Sequence, residues 1–528
     1  MLVGMAGPNV TAGGGPAPEP PDSREERLFR ALDVDGCGMI RKAALIGTLS
    51  ASGVPANDPR LRPTMSALDR HPSDTLELDS FCRLVRPSLL LVEQILRGDL
   101  VIPDFGRFSA QLTEIFEEAR ALRSGDVATY IPQLARVDPE AYALAVCTTD
   151  GQRFTAGDHA LELCAQSACK PINYALALEQ HGEAEVHRHV GREPSGQRFN
   201  ELTLNADDRP HNPMINAGAI VCCSLIHRDR PAADRFDGVM NTWQRLAGGR
   251  KPGFSNAVYQ SERKNADRNF ALGYFMRENG VFPEGTDLLE TLEFYFQCCA
   301  IEVGVEHLAA MAATLANGGV VPTTGERVLE PETVRSVLSL MYSCGMYDFS
   351  GEFAFSIGLP AKSAVSGAIM TVVPNVMGMC VWSPRLDALG NSVRGIEVCR
   401  RLVDRYNFHN YDNLTGLTEK EDPRRPVAEQ ARDDRINLIW AAAKGDLRAV
   451  QRLVARGVDP DEPDYDGRTA LHLAAVEGQS EVVAFLMSCG AALDPRDRWG
   501  QTPRAEAERA GFAALARTLE EASHRRDN

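Results

Sequence analysis

The 528-residue sequence has no apolar run long enough to cross a membrane. Its longest apolar stretches, such as residues 217–226, fall well short of the roughly 20 residues that a transmembrane helix needs. It also has no C-x-x-C spacing: its thirteen cysteines stand singly or in adjacent pairs, which indicates reduced thiols rather than a disulfide framework. The 72 acidic residues outnumber the 56 basic residues, which gives a formal net charge of -16. This charge argues against sequence-independent nucleic-acid binding and disfavours an anionic membrane surface as the main partner.

Arginine and lysine are both missing from residues 1–21, where glycine and proline dominate. A mitochondrial presequence is basic and amphipathic, and a secretory signal has a basic start before an apolar segment. The segment resembles neither. Because it offers almost nothing apolar to bury, we predict that residues 1–22 are disordered.

The length exceeds what one hydrophobic core accommodates, so several domains are expected. The middle of the chain shows a strand at residues 141–150 and a hairpin formed by residues 366–373 and 376–382, joined at Pro374-Asn375. The segments between them follow a helical pattern. Strands at both ends of a helical middle predict an α+β domain with one sheet assembled from both ends. The predicted division is 1–22 disordered, 23–100 helical, 101–124 connecting helix, 125–413 α+β domain, 414–434 charged linker, 435–522 helical repeats and 523–528 tail.

A segment near the start copies the first half of an EF-hand loop. Asp33 and Asp35 occupy ligand positions one and three, and Gly38 occupies the turn position. The second half of the loop lacks the usual calcium ligands. Cys37 stands at position five, and Ala44 replaces the glutamate that completes the calcium coordination. We therefore predict a degenerate EF-hand-like domain with no calcium site tighter than roughly millimolar. Calorimetry on residues 1–100 that showed stoichiometric micromolar binding would contradict this.

The last hundred residues contain an internal repeat. Gly445, Gly478 and Gly511 recur at the 33-residue period of ankyrin repeats, and residues 466–475 closely resemble the ankyrin signature. Such repeats bury their faces only by stacking. Two or three of them would need support from the adjoining domain or another copy, and their surface suits a protein partner.

Ser167 and Lys170 form the sharpest local pattern. Their spacing of three places both on one helix face, and Pro171 is tolerated only in a first turn, so Ser167 lies near a helix N-terminus. The helix dipole there favours an alkoxide and disfavours a charged lysine. A neutral lysine is one way to activate a serine hydroxyl. The alternative is a serine and a lysine on a solvated helix end, since the spacing also occurs by chance.

Two further polar groups are candidates for ligand binding. Glu262 and Asn269 are seven residues apart, which is two helical turns, so we predict that they lie on one face of a helix. A carboxylate and an amide there could receive a ligand's ammonium and carboxylate, although a solvated charged helix gives the same pattern. Asn216 precedes an apolar run, and its alternative role is that of a helix cap.

Several long motifs in one order make the sequence similar to the animal-type (kidney- and liver-like) glutaminase family. The likeness extends over about residues 101–522, including the ankyrin repeats. The segments that carry it are residues 166–174, 193–196, 211–220, 253–270, 311–319, 343–350, 373–380 and 407–413.

The resemblance implies a catalytic domain of the serine β-lactamase and penicillin-binding-protein fold that hydrolyses L-glutamine to L-glutamate and ammonia. It implies that Ser167 is the nucleophile, Lys170 its base and Tyr347 the proton relay to ammonia. The backbone N–H groups of Ser167 and Val365 would hold the oxyanion. Glu262 would hold the α-ammonium group. The residues implied to fix the α-carboxylate and orient the substrate are Tyr130, Asn216, Asn269 and Tyr295.

The family also implies a homotetramer, activation by inorganic phosphate and a mitochondrial location. The implied mitochondrial location conflicts with residues 1–21, which do not resemble a mitochondrial presequence, so a cytoplasmic location stays open. No cofactor or metal is expected, because the eleven histidines are dispersed and His187-Arg188-His189 has no matching ligand set. One departure concerns the Lys-Ser/Thr-Gly strand of β-lactamases, which reads Lys362-Ser363-Ala364. We expect altered packing there rather than lost activity.

Two other functions compete. A β-lactamase or peptidase would use the same serine and lysine, but Glu262 argues against it, because a free α-amino acid needs an anion for its ammonium group. An interaction scaffold with an inactive enzyme domain would have lost catalytic positions. Ser167, Lys170 and Tyr347 are all present.

Overall fold

The computed structural model describes residues 23–196, 201–412, 420–455 and 457–526. It divides into two compact units, one ending at Asp422 and the other beginning at Pro423. The predicted disordered segment 1–22 and residues 414–419 of the predicted linker lie outside the described residues. Among the described residues, no helix has the length and apolar character needed to span a bilayer.

Helices dominate both units, with three short 3-10 turns at Arg86–Ser88, Gln166–Cys169 and Tyr347–Phe349. The helices of the first unit are α1 (Arg24–Leu32), α2 (Lys42–Ala51), α3 (Arg62–Arg70), α4 (Leu78–Val85), α5 (Leu89–Arg97), α6 (Phe105–Arg120), α7 (Pro132–Ala135), α8 (Lys170–Val186), α9 (Asn216–Leu225), α10 (Ala232–Leu246), α11 (Asn256–Lys264), α12 (Asp267–Glu278), α13 (Leu288–Cys299), α14 (Val305–Ala316), α15 (Pro331–Cys344), α16 (Ser350–Ser356) and α17 (Val393–Arg405). Those of the second unit are α18 (Val427–Lys444), α19 (Leu447–Ala455), α20 (Ala470–Val476), α21 (Ser480–Ser488), α22 (Pro503–Arg509) and α23 (Ala513–Arg526).

In the part of the chain that the structure describes, the strands all lie in the first unit and form three antiparallel sheets. They are β1 (Ile40–Arg41), β2 (Thr75–Leu76), β3 (Ala143–Thr148), β4 (Arg153–Gly157), β5 (Glu162–Cys164), β6 (Gly253–Phe254), β7 (Ile301–Gly304), β8 (Ala361–Ser363), β9 (Ala368–Val373) and β10 (Met377–Trp382). The main sheet has the order β4-β3-β10-β9-β8. Ala143 at one end of β3 pairs with Trp382 of β10. The prediction of one sheet built from both ends of an α+β domain is therefore confirmed.

The main sheet carries a core on each face, because every residue of β3, β9 and β10 is buried. One core lies between the sheet and the helices α8, α9, α13 and α14. The other lies against α6 and α17, which pack on each other. At Gly378 a Cβ atom would lie 2.1 Å from the backbone nitrogen of Ala313, so only glycine lets α14 approach the sheet this closely.

The N-terminal helical domain docks on the β3–β4 hairpin through polar contacts. Gln152 donates to the carbonyl oxygens of Ser52 and Ile102 at 2.8 and 2.9 Å. In the EF-hand-like loop, the N–H groups of Cys37 and Gly38 donate to the Asp33 carboxylate at 3.0 and 2.9 Å. The Cys37 N–H also donates to Asp35 Oδ1 at 3.4 Å, so both acidic groups stabilise the turn of their own loop.

The second unit consists of three helix pairs, α18/α19, α20/α21 and α22/α23, around one core. The repeating glycines have a structural reason. Gly445, Gly478 and Gly511 follow the first helix of each pair with φ values of 73°, 71° and 90°, a left-handed conformation that favours glycine.

Two helix boundaries of this unit differ from the predicted domain limits. The predicted linker runs to residue 434, but α18 already begins at Val427, directly after Pro426. Three of the charged residues that suggested a linker, Arg432, Asp433 and Asp434, therefore lie on this helix. The predicted tail begins at residue 523, yet α23 continues to Arg526.

Candidate active site

Ser167 lies in the 3-10 turn that leads into α8, as the position of Pro171 predicts. Gln166, directly before it, has a φ of 47°, which is uncommon for a residue other than glycine. Ser167 is 8% exposed and Lys170 is fully buried. The alternative of a serine and a lysine on a solvated helix end is therefore wrong.

Lys170 combines full burial with a side-chain acceptor. Its Nζ donates to Asn216 Oδ1 at 2.7 Å. Burial lowers the pKa of Lys170 to about 8, although nearby thiols and the Glu262 carboxylate oppose this shift. At neutral pH roughly a tenth of such lysines lack the extra proton and can accept one. The side chain therefore fits a general base.

Tyr347 reaches the same place from a distant part of the chain. Its φ is 53°, and its backbone carbonyl accepts a hydrogen bond from Ser350 Oγ at 2.6 Å. Burial raises the pKa of its phenol, while the Ser167 side chain and the Val365 backbone N–H, both next to the hydroxyl, oppose that rise. Uncommon backbone conformations of this kind concentrate at active sites. Ser167, Tyr347 and Val365 thus meet at one point.

Glu262 lies on α11 and is 7% exposed. The Tyr130 hydroxyl donates to its Oε1 at 2.5 Å, and Gln166 Nε2 donates to the same oxygen at 2.9 Å. Burial raises the pKa of Glu262, and the two donors together with Lys170 oppose the rise. Tyr130 is 46% exposed, but its hydroxyl is turned toward this carboxylate. The arrangement is an enclosed anion with few charged neighbours.

Hydrogen bonds through Asn216 connect Lys170 with a second amide, that of Asn269, and with the phenol of Tyr295. Asn216 Nδ2 donates to Asn269 Oδ1 at 3.0 Å, and the Tyr295 hydroxyl donates to Asn216 Oδ1 at 3.4 Å. Asn216 is the first residue of α9, whose N-cap is Ile215. The alternative of Asn216 as a helix cap is therefore wrong. All nine side chains and backbone groups singled out in the sequence lie in this one region.

The prediction that Glu262 and Asn269 share one helix is wrong. Glu262 lies on α11 and Asn269 lies on α12. The helix α11 ends between them, with Asn265 as its C-cap. Asn265 Nδ2 donates to the carbonyl oxygen of Ser261 at 2.9 Å. The side chain thus takes a backbone acceptor near the end of α11, a competition that favours helix termination.

Lys362 is a buried lysine that sequence reasoning did not place in the site. Its Nζ lies 4.6 Å from the centroid of the Tyr347 ring and donates to the carbonyl oxygens of Gly345 and Ser363 at 3.1 and 2.6 Å. Burial holds the pKa of Lys362 well below its usual value, with Lys170 adding to the effect. The available signal was the Lys362-Ser363-Ala364 triplet itself.

Gln166 and a pair of thiols were also missed. Gln166 has a positive φ and donates to Glu262, and the sequence reveals neither feature. Cys169 and Cys299 lie together, and hydrogen bonding with Cys169, followed by burial, raises the pKa of Cys299 well above its usual value. No sequence spacing links these two cysteines.

Groups of metal-ligating side chains were sought over the described part of the chain. There, one set of three has donor atoms within 4.8 Å of one another: Asp33, Asp35 and Cys37 of the EF-hand-like loop. It lies outside the region around Ser167.

Comparison with known proteins identifies the family of the chain. The family model for glutaminase matches residues 125–411, that for ankyrin repeats (3 copies) matches residues 438–525, and that for an EF-hand domain matches residues 24–103. The mitochondrial liver isoform of glutaminase from Rattus norvegicus is 48% identical over 479 residues, covering 90% of this chain and 80% of the relative. Putative glutaminase 2 of Caenorhabditis elegans is 44% identical over 529 residues, covering 96% and 87%.

Solved structures give the same result. The structure of the probable glutaminase ybaS is 34% identical with a TM-score of 0.56, covering 58% of this chain and 99% of the other. The native structure of Mglu is 41% identical with a TM-score of 0.55, covering 58% and 73%. The chain therefore belongs to the glutaminase family, with a serine β-lactamase-like catalytic domain between an EF-hand domain and ankyrin repeats. It is an amidohydrolase that acts on glutamine, and it is similar to the mammalian liver-type enzyme.

Proposed function

We propose that this glutaminase cleaves the side-chain amide through an acyl-enzyme on Ser167. Neutral Lys170 takes the proton from Ser167 Oγ, which attacks the amide carbonyl of glutamine. The backbone N–H groups of Ser167 and Val365 stabilise the resulting oxyanion. Tyr347 passes a proton to the departing ammonia, and water then hydrolyses the ester to release glutamate. The observation that supports this route most is the buried Ser167 beside a lysine whose pKa is about 8.

Recognition is proposed to depend on the second group of residues. The Glu262 carboxylate receives the α-ammonium group, since it is enclosed and its two hydrogen-bond donors, Tyr130 and Gln166, are neutral. The α-carboxylate is assigned to a group of amides and phenols: Tyr130, Asn216, Asn269 and Tyr295. Selection of a free amino acid then follows from a buried charge pair that a peptide or a β-lactam lacks.

Trapping the acyl-enzyme tests the mechanism. Hydroxylamine added as a competing nucleophile should convert glutamine to the γ-hydroxamate, and acid-quenched protein should carry a glutamyl group on Ser167 by peptide mass spectrometry. Ser167→Ala should give neither product. A variant that still turns over glutamine, or a wild-type enzyme that forms no hydroxamate at saturating hydroxylamine, would contradict the acyl-enzyme.

A comparison of three substrates tests recognition. Ammonia release from glutamine and asparagine, alongside hydrolysis of a β-lactam, tests the proposed recognition of a free amino acid against the β-lactamase or peptidase alternative. Only glutamine should react efficiently, because the ammonium of asparagine cannot reach Glu262 while its shorter amide lies at Ser167. Efficient β-lactam hydrolysis would contradict the assignment. An interaction scaffold with an inactive enzyme domain would react with none of them.

We further propose that the enzyme is a homotetramer, is activated by inorganic phosphate and is located in mitochondria. The relatives named as mitochondrial liver isoforms support the location, and the cytoplasm is the alternative. The ankyrin repeats are proposed to bind a protein partner. Light scattering after size exclusion, a phosphate titration of kcat, and fractionation of expressing cells test the first three in turn.

A further inference from the structure

A cleft of about 180 Å³ lies where the N-terminal helical domain meets the main sheet. Its walls come from the loop before α3, from β3 and β4, from the loop after α10 and from the first turns of α14. None of the nine site residues lines it. Its polar side chains are Asn57, Arg153, Thr155, Arg250, Glu306 and Thr323.

The two arginines use only part of their hydrogen-bonding capacity. Arg153 Nη2 donates to Asp58 Oδ2 at 3.0 Å, and Arg250 Nη2 donates to Glu306 Oε2 at 2.5 Å. Asp58 is fully buried and already accepts bonds from Arg60 at 2.9 and 3.1 Å. Within the described ranges, the Nε and Nη1 atoms of Arg153 and Arg250 have no hydrogen-bond or ion-pair partner. Two guanidinium groups therefore bring unused donors to one cleft.

The rest of the lining is apolar and small. It consists of residues such as Pro59, Ala145, Val146, Ala247, Ala309 and Ala310. Guanidinium donors match the two oxygens of a carboxylate in geometry and charge. An inorganic anion would leave the alanine wall unused, whereas a short aliphatic body would cover it and lose water contact. The volume suits a ligand of only a few heavy atoms, well below the size of common drug-binding pockets.

We propose that this cleft binds a small organic acid, with its carboxylate on Arg153 and Arg250 and its aliphatic part against the alanine wall. Such a ligand touches the N-terminal domain and the catalytic sheet at once. Its binding therefore stabilises the docking of one on the other, by linkage. The proposal is independent of the Ser167 chemistry, because the two sites share no residue.

Calorimetry on the full-length chain tests the proposal with glutarate as the probe, at constant ionic strength. Arg250→Gln should weaken binding about tenfold or more, since it removes a charged donor. Arg245→Gln is the matched control, because it removes a comparable pair, Arg245 with Glu326 at 2.7 Å, outside the cleft. It should leave binding unchanged. Ala310→Leu, which fills the cleft while keeping both arginines, should also abolish binding.

Several outcomes would overturn the proposal. These are an absence of saturable glutarate binding to the wild-type protein, an equal loss in Arg245→Gln, and tighter binding of inorganic phosphate than of glutarate. Glutarate that glutamine displaces and that still binds Arg250→Gln would be bound at the catalytic site instead. In support, glutarate should raise the Tm of the wild-type protein and of Arg245→Gln, but not that of folded Arg250→Gln or Ala310→Leu.

Discussion

The site has a reaction half, Ser167 with Lys170 and Tyr347, and a recognition half, Glu262 with Tyr130 and Gln166. Burial acts on a charge in both. In the reaction half it lowers the pKa of Lys170 to about 8, so that the lysine readily gives up its proton. In the recognition half it raises the pKa of Glu262, but two neutral donors oppose the rise. Burial thus favours a neutral base at Lys170. At Glu262 it leaves an anion that can receive a cation, because two neutral donors bind the carboxylate.

The largest effect should come from the reaction half. Ser167→Ala and Lys170→Ala should each lower kcat by roughly a thousandfold or more, and the double variant should be hardly worse, because the pair acts as one unit. Glutamine binding to Ser167→Ala, measured by calorimetry, should remain close to that of wild type. Ser339→Ala, at an exposed serine of α15, is the control and should be fully active. Near-normal turnover in Ser167→Ala would remove the distinction between the halves.

Glu262→Gln should show the opposite kinetic pattern. It removes an ionic contact present in both the ground and transition states, so the rise in KM should exceed the fall in kcat. The loss should be roughly 2–5 kcal/mol, because the ammonium group would be buried opposite a neutral amide. Glu293→Gln is the control, since Glu293 pairs with Arg263 near the surface. An unchanged KM in Glu262→Gln would contradict the recognition role.

The pH profile should connect the two halves. The reactive lysine is neutral only above its pKa, so kcat/KM should rise with pH through about 8 and reach only about a tenth of its plateau at pH 7. The Glu262 carboxylate raises the pKa of Lys170, so Glu262→Gln should move this inflection to lower pH. A profile that is flat or falling between pH 6.5 and 9 would contradict the proposed base.

The smallest effect is expected from removal of the ankyrin repeats. Both halves of the site belong to the unit that ends at Asp422. A chain truncated after Asp422 should therefore keep its kcat and KM for glutamine, measured by ammonia release, although its assembly or solubility could change. A folded, soluble truncate with no activity at any concentration would show that one half depends on the repeats.

Local patterns in the sequence predicted much of the fold. The β9–β10 hairpin follows from two apolar runs around Pro374-Asn375, and the repeat glycines mark helix ends whose conformation requires glycine. The small sheet of β5, β6 and β7 was not predicted, because strands of two to four residues are too short to show a period. The break at Asn265 was missed because a side-chain hydrogen bond, rather than the apolar pattern, decides it.

Site residues that are close together in the sequence could be predicted, whereas residues that only the fold brings together could not. The spacing of Ser167 and Lys170 marked a candidate reactive pair but fitted a solvated helix end equally well, and only the burial of both residues decides between the two. Tyr347 and Val365 come from a distant segment, so only the family resemblance connected them with Ser167. Gln166 was overlooked because its contact with Glu262 joins residues 96 positions apart in the chain. Lys362 was noticed as a motif, but its position under the Tyr347 ring depends on tertiary packing.

Because β3 pairs with β10, this part of the main sheet cannot form until β10 has been synthesised. Ala143 leaves the ribosome long before its partner Trp382, which lies 239 positions further along the chain. At typical elongation rates this interval lasts roughly 12 to 48 seconds. During that time β3, whose six residues are all buried in the finished protein, has only the β4 hairpin beside it. The nascent chain therefore carries an unpaired apolar strand edge for almost half of its translation. Such an edge needs protection by chaperones, whereas a sheet of strands that are neighbours in sequence would not.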